Sequence, residues 1–151
     1  MKRIAVEEHF STQEYIDYIR SRKVYPKMGG VEDKNHKKIE AVWFSPDFYM
    51  PNSPVFASRL IDVAEGRLKE MDEAGIDMQA LSVSVPGPDA FDATTGTALA
   101  RKLNDELYKL IAKYPQRFVG LAALAPQDPK GAADELERTV KELGFKGTKL
   151  N

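Results

Sequence analysis

Two residues near the start of the chain have the types and spacing to share a metal ion. Glu7 and His9 are separated by one residue, so in an extended strand their side chains project to the same face. A carboxylate oxygen and an imidazole nitrogen aimed at one point suit Zn²⁺ or Mn²⁺. They make half a site, because a catalytic zinc normally takes three protein ligands. The other histidine, His36, lies in a charged run and is a weak candidate. Glu-x-His pairs are common and most are solvated surface groups; this one stands out because it ends an apolar first strand. Phe10 follows directly, as a wall for a substrate pocket or as an anchor for the next loop. Ser84 and Pro86, with Gly87, end a second apolar strand and are candidates to shape the same mouth; a plain strand-to-helix turn also accounts for them.

The elements that position these residues follow from periodicity. Arg3–Glu8 reads as the first strand, with Ile4, Ala5 and Val6 at its centre. Ser11 and Glu14 have capping-box spacing, which predicts a helix to about Arg20 with Tyr15, Ile16 and Ile19 inward. Residues 21–58 lose regularity. They hold six of the glycines and prolines, a charged run from Glu32 to Lys38, and the aromatics Trp43, Phe44, Phe48 and Tyr49. This reads as a long irregular loop, its aromatics either a lid over an aromatic ligand or a docking patch. From Arg59, the positions of Ile61, Ala64, Leu68 and Met71 predict one amphipathic helix closed by Gly75. Ile76–Val85 is a strand. A helix starts at Asp92 or Thr94 and runs to Tyr114, where Pro115 stops it. Arg117–Ala125 is an apolar strand. Pro129 opens a helix with a stripe of Ala133, Leu136, Val140 and Leu143, ended by Gly144. Phe145–Leu150 is the last strand. Near-continuous apolar strands alternating with helices imply an α/β fold on a parallel sheet.

Composition narrows the function classes. The 151 residues carry 22 Lys plus Arg against 23 Asp plus Glu, a formal net charge of −1. Such balance offers no broad electrostatic footprint for nucleic acid or an anionic membrane. No apolar run approaches the roughly 20 residues of a membrane span. Cysteine is absent, which removes disulfides, thiolate ligands and cysteine nucleophiles. Together with an early acidic N-terminus this sets the expectation of a cytoplasmic protein. The first strand leads into Glu7-Glu8-His9-Phe10 with no glycine, and no phosphate loop occurs, so nucleotide binding loses ground.

Several blocks, in order, are similar to one family. Ile4-Ala5-Val6-Glu7-Glu8-His9-Phe10, Arg67–Asp77, Leu81–Gly87, Ala100–Leu107, Tyr114–Phe118, Leu121–Pro129 and Glu142–Gly147 resemble the amidohydrolase-related metal-dependent decarboxylases, which act on hydroxylated benzoates. The resemblance implies the N-terminal half of a (β/α)₈ barrel of the metal-dependent hydrolase superfamily, with about four parallel strands in one partial domain over 1–151. It implies Glu7 and His9 as first-strand ligands of a divalent Zn or Mn ion. The family's remaining ligands, its catalytic histidine and its carboxylate-binding arginine are expected downstream of Asn151, since such a barrel takes about 250 residues. The implied activity is non-oxidative decarboxylation of a small aromatic carboxylate. A lactonase- or amidase-type hydrolase and an inactive, self-associating fragment are the alternatives. A half-barrel's unpaired edges point to a homo-oligomer.

Overall fold

The computed structural model describes residues 1–149; Leu150 and Asn151, and the end of the expected last strand, lie outside the described residues. Strand β1 (Ile4–Phe10) is followed by α1 (Gln13–Ser21). Strands β2 (Lys27–Glu32), β3 (Lys38–Ser45) and β4 (Phe48–Pro51) come next, then helices α2 (Pro54–Ile61) and α3 (Glu65–Ala74). The alternation then resumes with β5 (Met78–Val83), a 3₁₀ turn at Pro88–Ala90, α4 (Ala93–Lys113), β6 (Phe118–Gly120) and α5 (Pro129–Lys141). Strands β1, β5 and β6 form a parallel sheet in that order, and a parallel bridge from Ala122 to Thr148 extends it on the far side of β6. This is the strand–helix–strand winding of a (β/α)₈ barrel, with its helices packed on one face.

The core lies between sheet and helices. Ile19 of α1, Met71 of α3, Leu81 of β5, Leu107 of α4 and Phe118 of β6 are all buried there. The α4 stripe is as expected, with Ala100, Leu103, Leu107 and Leu110 inward. Asp92 caps that helix by accepting from the Thr95 amide at 2.9 Å, and Pro129 opens α5 at its first turn. Gly75 ends α3 in the left-handed region, φ 65°, where a side chain is strained. Gly120 is needed for space, because a Cβ there would sit 2.7 Å from the Phe145 ring.

Five local expectations are corrected. Residues 21–58 are not an irregular loop: β2–β3–β4 form an antiparallel sheet inserted between α1 and α2. The helix from Arg59 to Met71 is two helices, because the Asp62 carboxylate accepts from the Ala64 and Gly66 amides and breaks the turn between them. Thr12, not Ser11, caps α1: its hydroxyl accepts from the Tyr15 amide at 3.1 Å, while the Ser11 amide donates to Leu60. The apolar strand at 117–125 keeps ladder pairing only over Phe118–Gly120. The buried face of α5 is mixed: of the expected stripe, Leu136 and Leu143 pack against the core, beside polar residues. Glu135 and Thr139 point inward while Ala133 and Val140 are exposed.

That polar face is satisfied. Asn104 of α4 exchanges hydrogen bonds with Ala123, donating to its carbonyl at 2.9 Å and accepting from its amide at 2.8 Å. It also donates to Glu135, whose carboxylate takes the Arg138 guanidinium. Buried networks of this kind are stabilising only when complete. Asn104 is 1% exposed. Asn104→Ala is expected to cost about 3 kcal/mol, read as a lowered urea midpoint at unchanged slope.

Candidate active site at the mouth of the parallel strands

β1 delivers its chemistry through a bulge. Ala5 pairs with Gln79 but Glu8 pairs with Leu81, so one extra residue enters β1 around Val6 and Glu7. Bulges re-aim side chains at strand ends. Beyond it the register is regular, and His9 lies beside Ser82, Phe10 beside Val83. Alternation then sends His9 and Phe10 to opposite faces. Phe10 is 3% exposed and belongs to the core, so it is not brought together with His9.

The proton of Ser82 decides what His9 can do. The Ser82 hydroxyl donates to the Glu8 carbonyl at 3.3 Å. Its oxygen is 3.0 Å from His9 Nδ1; in the tautomer with the ring hydrogen on Nδ1, Ser82 accepts that hydrogen and Nε2 presents a lone pair. A supporting hydrogen bond on one ring nitrogen is what orients a metal-binding histidine through the other. Burial, then the Lys149 ammonium, pull the His9 imidazole below the ordinary histidine value, against the weaker pull of Glu7 and Glu8. The neutral, ligand-competent ring is therefore favoured.

Nε2 and the Glu7 carboxylate face a common cation. Lys149 Nζ is 3.5 Å from His9 Nε2 and 3.8 Å from Glu7 Oε1. Lys149 lies at the mouth end of the last expected strand, Phe145–Leu150. Its side chain is 28% exposed, because the Ala122–Thr148 bridge turns it toward β1. Glu7 itself remains 76% exposed. Arg67 of α3 was missed as a site residue. It donates to the His9 carbonyl at 2.7 Å, to Gln79 at 3.2 Å and to the Arg59 carbonyl at 3.0 Å, tying the end of β1 to α2 and α3.

A cavity of about 190 Å³ opens beside His9 and Lys149. Its walls come mainly from the inserted sheet and α2: Val42, Phe44, Met50 and Phe56. Ser84 lines it as well, whereas Pro86 does not; its carbonyl accepts from the buried Tyr15 hydroxyl at 2.6 Å. The four loop aromatics split by strand face. Phe44 and Phe48 pack together, 5.4 Å between centroids, on the Val42 side of the sheet, and Phe44 reaches the cavity. Trp43 and Tyr49 pack on the other face, tilted, with 4.7 Å between centroids. A wider cleft of about 650 Å³ runs along the outer edge of β1 past Glu7, Glu8, His9, Arg59 and Arg67, so Glu7 and His9 also open onto this side. Among the described residues no three His, Cys, Asp or Glu side chains gather closely enough to hold a metal, and His36 sits in an exposed turn beside Glu32.

Known proteins resemble this chain in sequence and fold. The chain is 39% identical over 150 residues to the gamma-resorcylate decarboxylase of Polaromonas sp. (strain JS666), covering 99% of this chain and 38% of that protein. The crystal structure of a dihydroxybenzoic acid decarboxylase from Polaromonas sp. JS666, with bound manganese and the inhibitor 2-nitroresorcinol, superposes with a TM-score of 0.73 at 37% identity, over 99% of this chain and 38% of that one. The 5-carboxyvanillate decarboxylase of Sphingomonas paucimobilis superposes with a TM-score of 0.76 at 36% identity, over 99% of this chain and 42% of that one. The chain thus spans roughly two fifths of the length of these relatives. The amidohydrolase family model matches residues 54–151, and with it the chain belongs to the amidohydrolase family.

Proposed function

We propose that the chain is part of a metal-dependent, non-oxidative decarboxylase acting on a hydroxylated aromatic carboxylic acid. The observation that carries this reading is the convergence of His9 Nε2 and the Glu7 carboxylate on one cation at the end of β1. The donor set fits a divalent ion: one oxygen and one neutral nitrogen, the nitrogen held in the right tautomer by Ser82. Manganese is the better candidate, as a related structure carries it. When bound, the ion would supply Lewis acidity and a template for a carboxylate and its neighbouring phenol.

The chain's own residues do the rest of the positioning. Glu7 and His9 hold the ion, and Arg67 holds the His9 backbone. Val42, Phe44, Met50 and Phe56 present an apolar wall that excludes water and stacks on a ring, and Ser84 offers a polar contact at its edge. The cavity is smaller than the roughly 300–1,000 Å³ of sites for drug-sized ligands, which favours a single-ring acid. Phe10 serves this site from the core side, as ballast for the strand. The acid that protonates the ring carbon, and the remaining ligands, are proposed to come from the rest of the relatives' length.

Self-association belongs to the same proposal. Among the described residues β1 pairs only with β5, and its Ile4 and Val6 are exposed. Charge balance argues against nucleic acid as a partner. No helix among the described residues is long and apolar enough to cross a membrane.

Three measurements test the reading. Grafting residues 1–149 in place of the aligned segment of the Polaromonas decarboxylase is expected to keep Mn²⁺-dependent carbon dioxide release from 2,6-dihydroxybenzoate. A folded, Mn²⁺-loaded chimera without release contradicts it. In the chain itself, Glu7→Gln is expected to weaken Mn²⁺ binding, seen by calorimetry, by at least about tenfold. Long-range ¹H–¹⁵N NMR of His9 is expected to show the hydrogen on Nδ1 in the wild type and a mixture of tautomers in Ser82→Ala; a wild-type hydrogen on Nε2 rejects His9 as a ligand through that atom.

A further inference from the structure

Lys149 marks the point where Glu7 and His9 converge, yet the decarboxylase reading gives it no role of its own. Its ammonium stands between Glu7 Oε1 and His9 Nε2, at 3.8 and 3.5 Å. The backbone puts it there. Ala122 donates to the Gly147 carbonyl at 2.8 Å, the Thr148 hydroxyl donates to the Ala122 carbonyl at 2.7 Å, and the bridge fixes the direction of the next side chain. Among the described residues, no other cationic side chain lines the 190 Å³ cavity.

We propose that Lys149 is a positioning residue that occupies the metal point between Glu7 and His9 and yields it to a divalent cation. The inference rests on reading Glu7 and His9 as ligands. Both contacts are long for a charged hydrogen bond, and the Glu7 carboxylate is mostly in water, so the pair is weakly held. A doubly charged ion at the same point attracts the carboxylate twice as strongly at equal distance and repels the ammonium. The two cations exclude each other. Before loading, Lys149 keeps the carboxylate and the ring turned toward one point, which limits their rotamer freedom. On loading, its flexible stem lets the ammonium move off the metal point.

The account sets metal affinity against Lys149. Free Mn²⁺ is counted by its solution EPR signal during titration of the wild type, Lys149→Met and Lys149→Arg, with circular dichroism confirming each fold. Lys149→Met keeps the stem and removes the charge, and is expected to bind Mn²⁺ about tenfold more tightly. Lys149→Arg is expected to bind no more tightly than the wild type. Wild-type binding with equal or weaker affinity in Lys149→Met overturns the proposal and leaves the metal reading standing. A second readout needs no metal: the ¹³Cε resonance of Lys149 is expected to shift in Glu7→Gln, and no shift overturns the contact. A shift accompanied by no Mn²⁺ binding in any variant overturns the metal reading, and the displacement with it.

Discussion

The geometry of the strand mouth rests on where one proton goes. Ser82 Oγ lies 3.3 Å from the Glu8 carbonyl and 3.0 Å from His9 Nδ1, so a hydroxyl hydrogen given to the carbonyl leaves the oxygen to accept from His9. That placement selects the tautomer with Nε2 bare. It is available only because β1 and β5 are parallel neighbours with His9 in register with Ser82, and that register follows a bulge at Val6 and Glu7. Arg67 reinforces it from the helix layer by holding the His9 carbonyl. A shift of one residue would carry His9 to the core face, where Phe10 now sits, and dissolve the arrangement.

The inserted sheet turns this strand end into a pocket. Parallel strands alone would leave His9 facing solvent. β3 and β4 bring Val42, Phe44 and Met50 over it, and α2 adds Phe56. Hydrogen bonds anchor the sheet to the body: Glu40 of β3 takes the Arg20 guanidinium and the Asn52 amide. The apolar surface is therefore carried on a segment with its own backbone pairing, independent of the barrel strands it covers.

Much of the barrel was legible because its signals are local. The α4 stripe, the Asp92 cap, Pro129 at a helix start and Gly75 at a helix end each depend on a few neighbouring residues. The spacing that singles out Glu7 and His9 is local in the same way. The inserted sheet was not. In β3, Ile39, Ala41 and Trp43 alternate with Glu40, Val42 and Phe44, so both faces are apolar and no period of two appears. The nearby glycines and prolines then read as loop. On α5, Leu136 and Leu143 of the expected stripe pack on the core, but the fully buried residues are Glu135 and Thr139, invisible to a search for apolar stripes because the Glu135 partners, Asn104 and Arg138, are set by packing. Ser82 and Lys149 were hidden for a related reason: each meets His9 only through a strand pairing more than 70 residues away in sequence. Asp62 was readable in principle, since an acid two and four residues before exposed amides is a turn-forming signal.

The central claim is that the strand mouth, rather than any other acidic surface, is where a divalent ion binds. Paramagnetic broadening by substoichiometric Mn²⁺ in an amide-resolved NMR spectrum tests it directly. The amides of Glu7, His9, Ser82 and Lys149 are expected to broaden first, with those of His36 and of the Glu135–Arg138 network unchanged. Broadening centred on the His36 turn or on the outer face of α5, with the strand mouth untouched, would contradict the account.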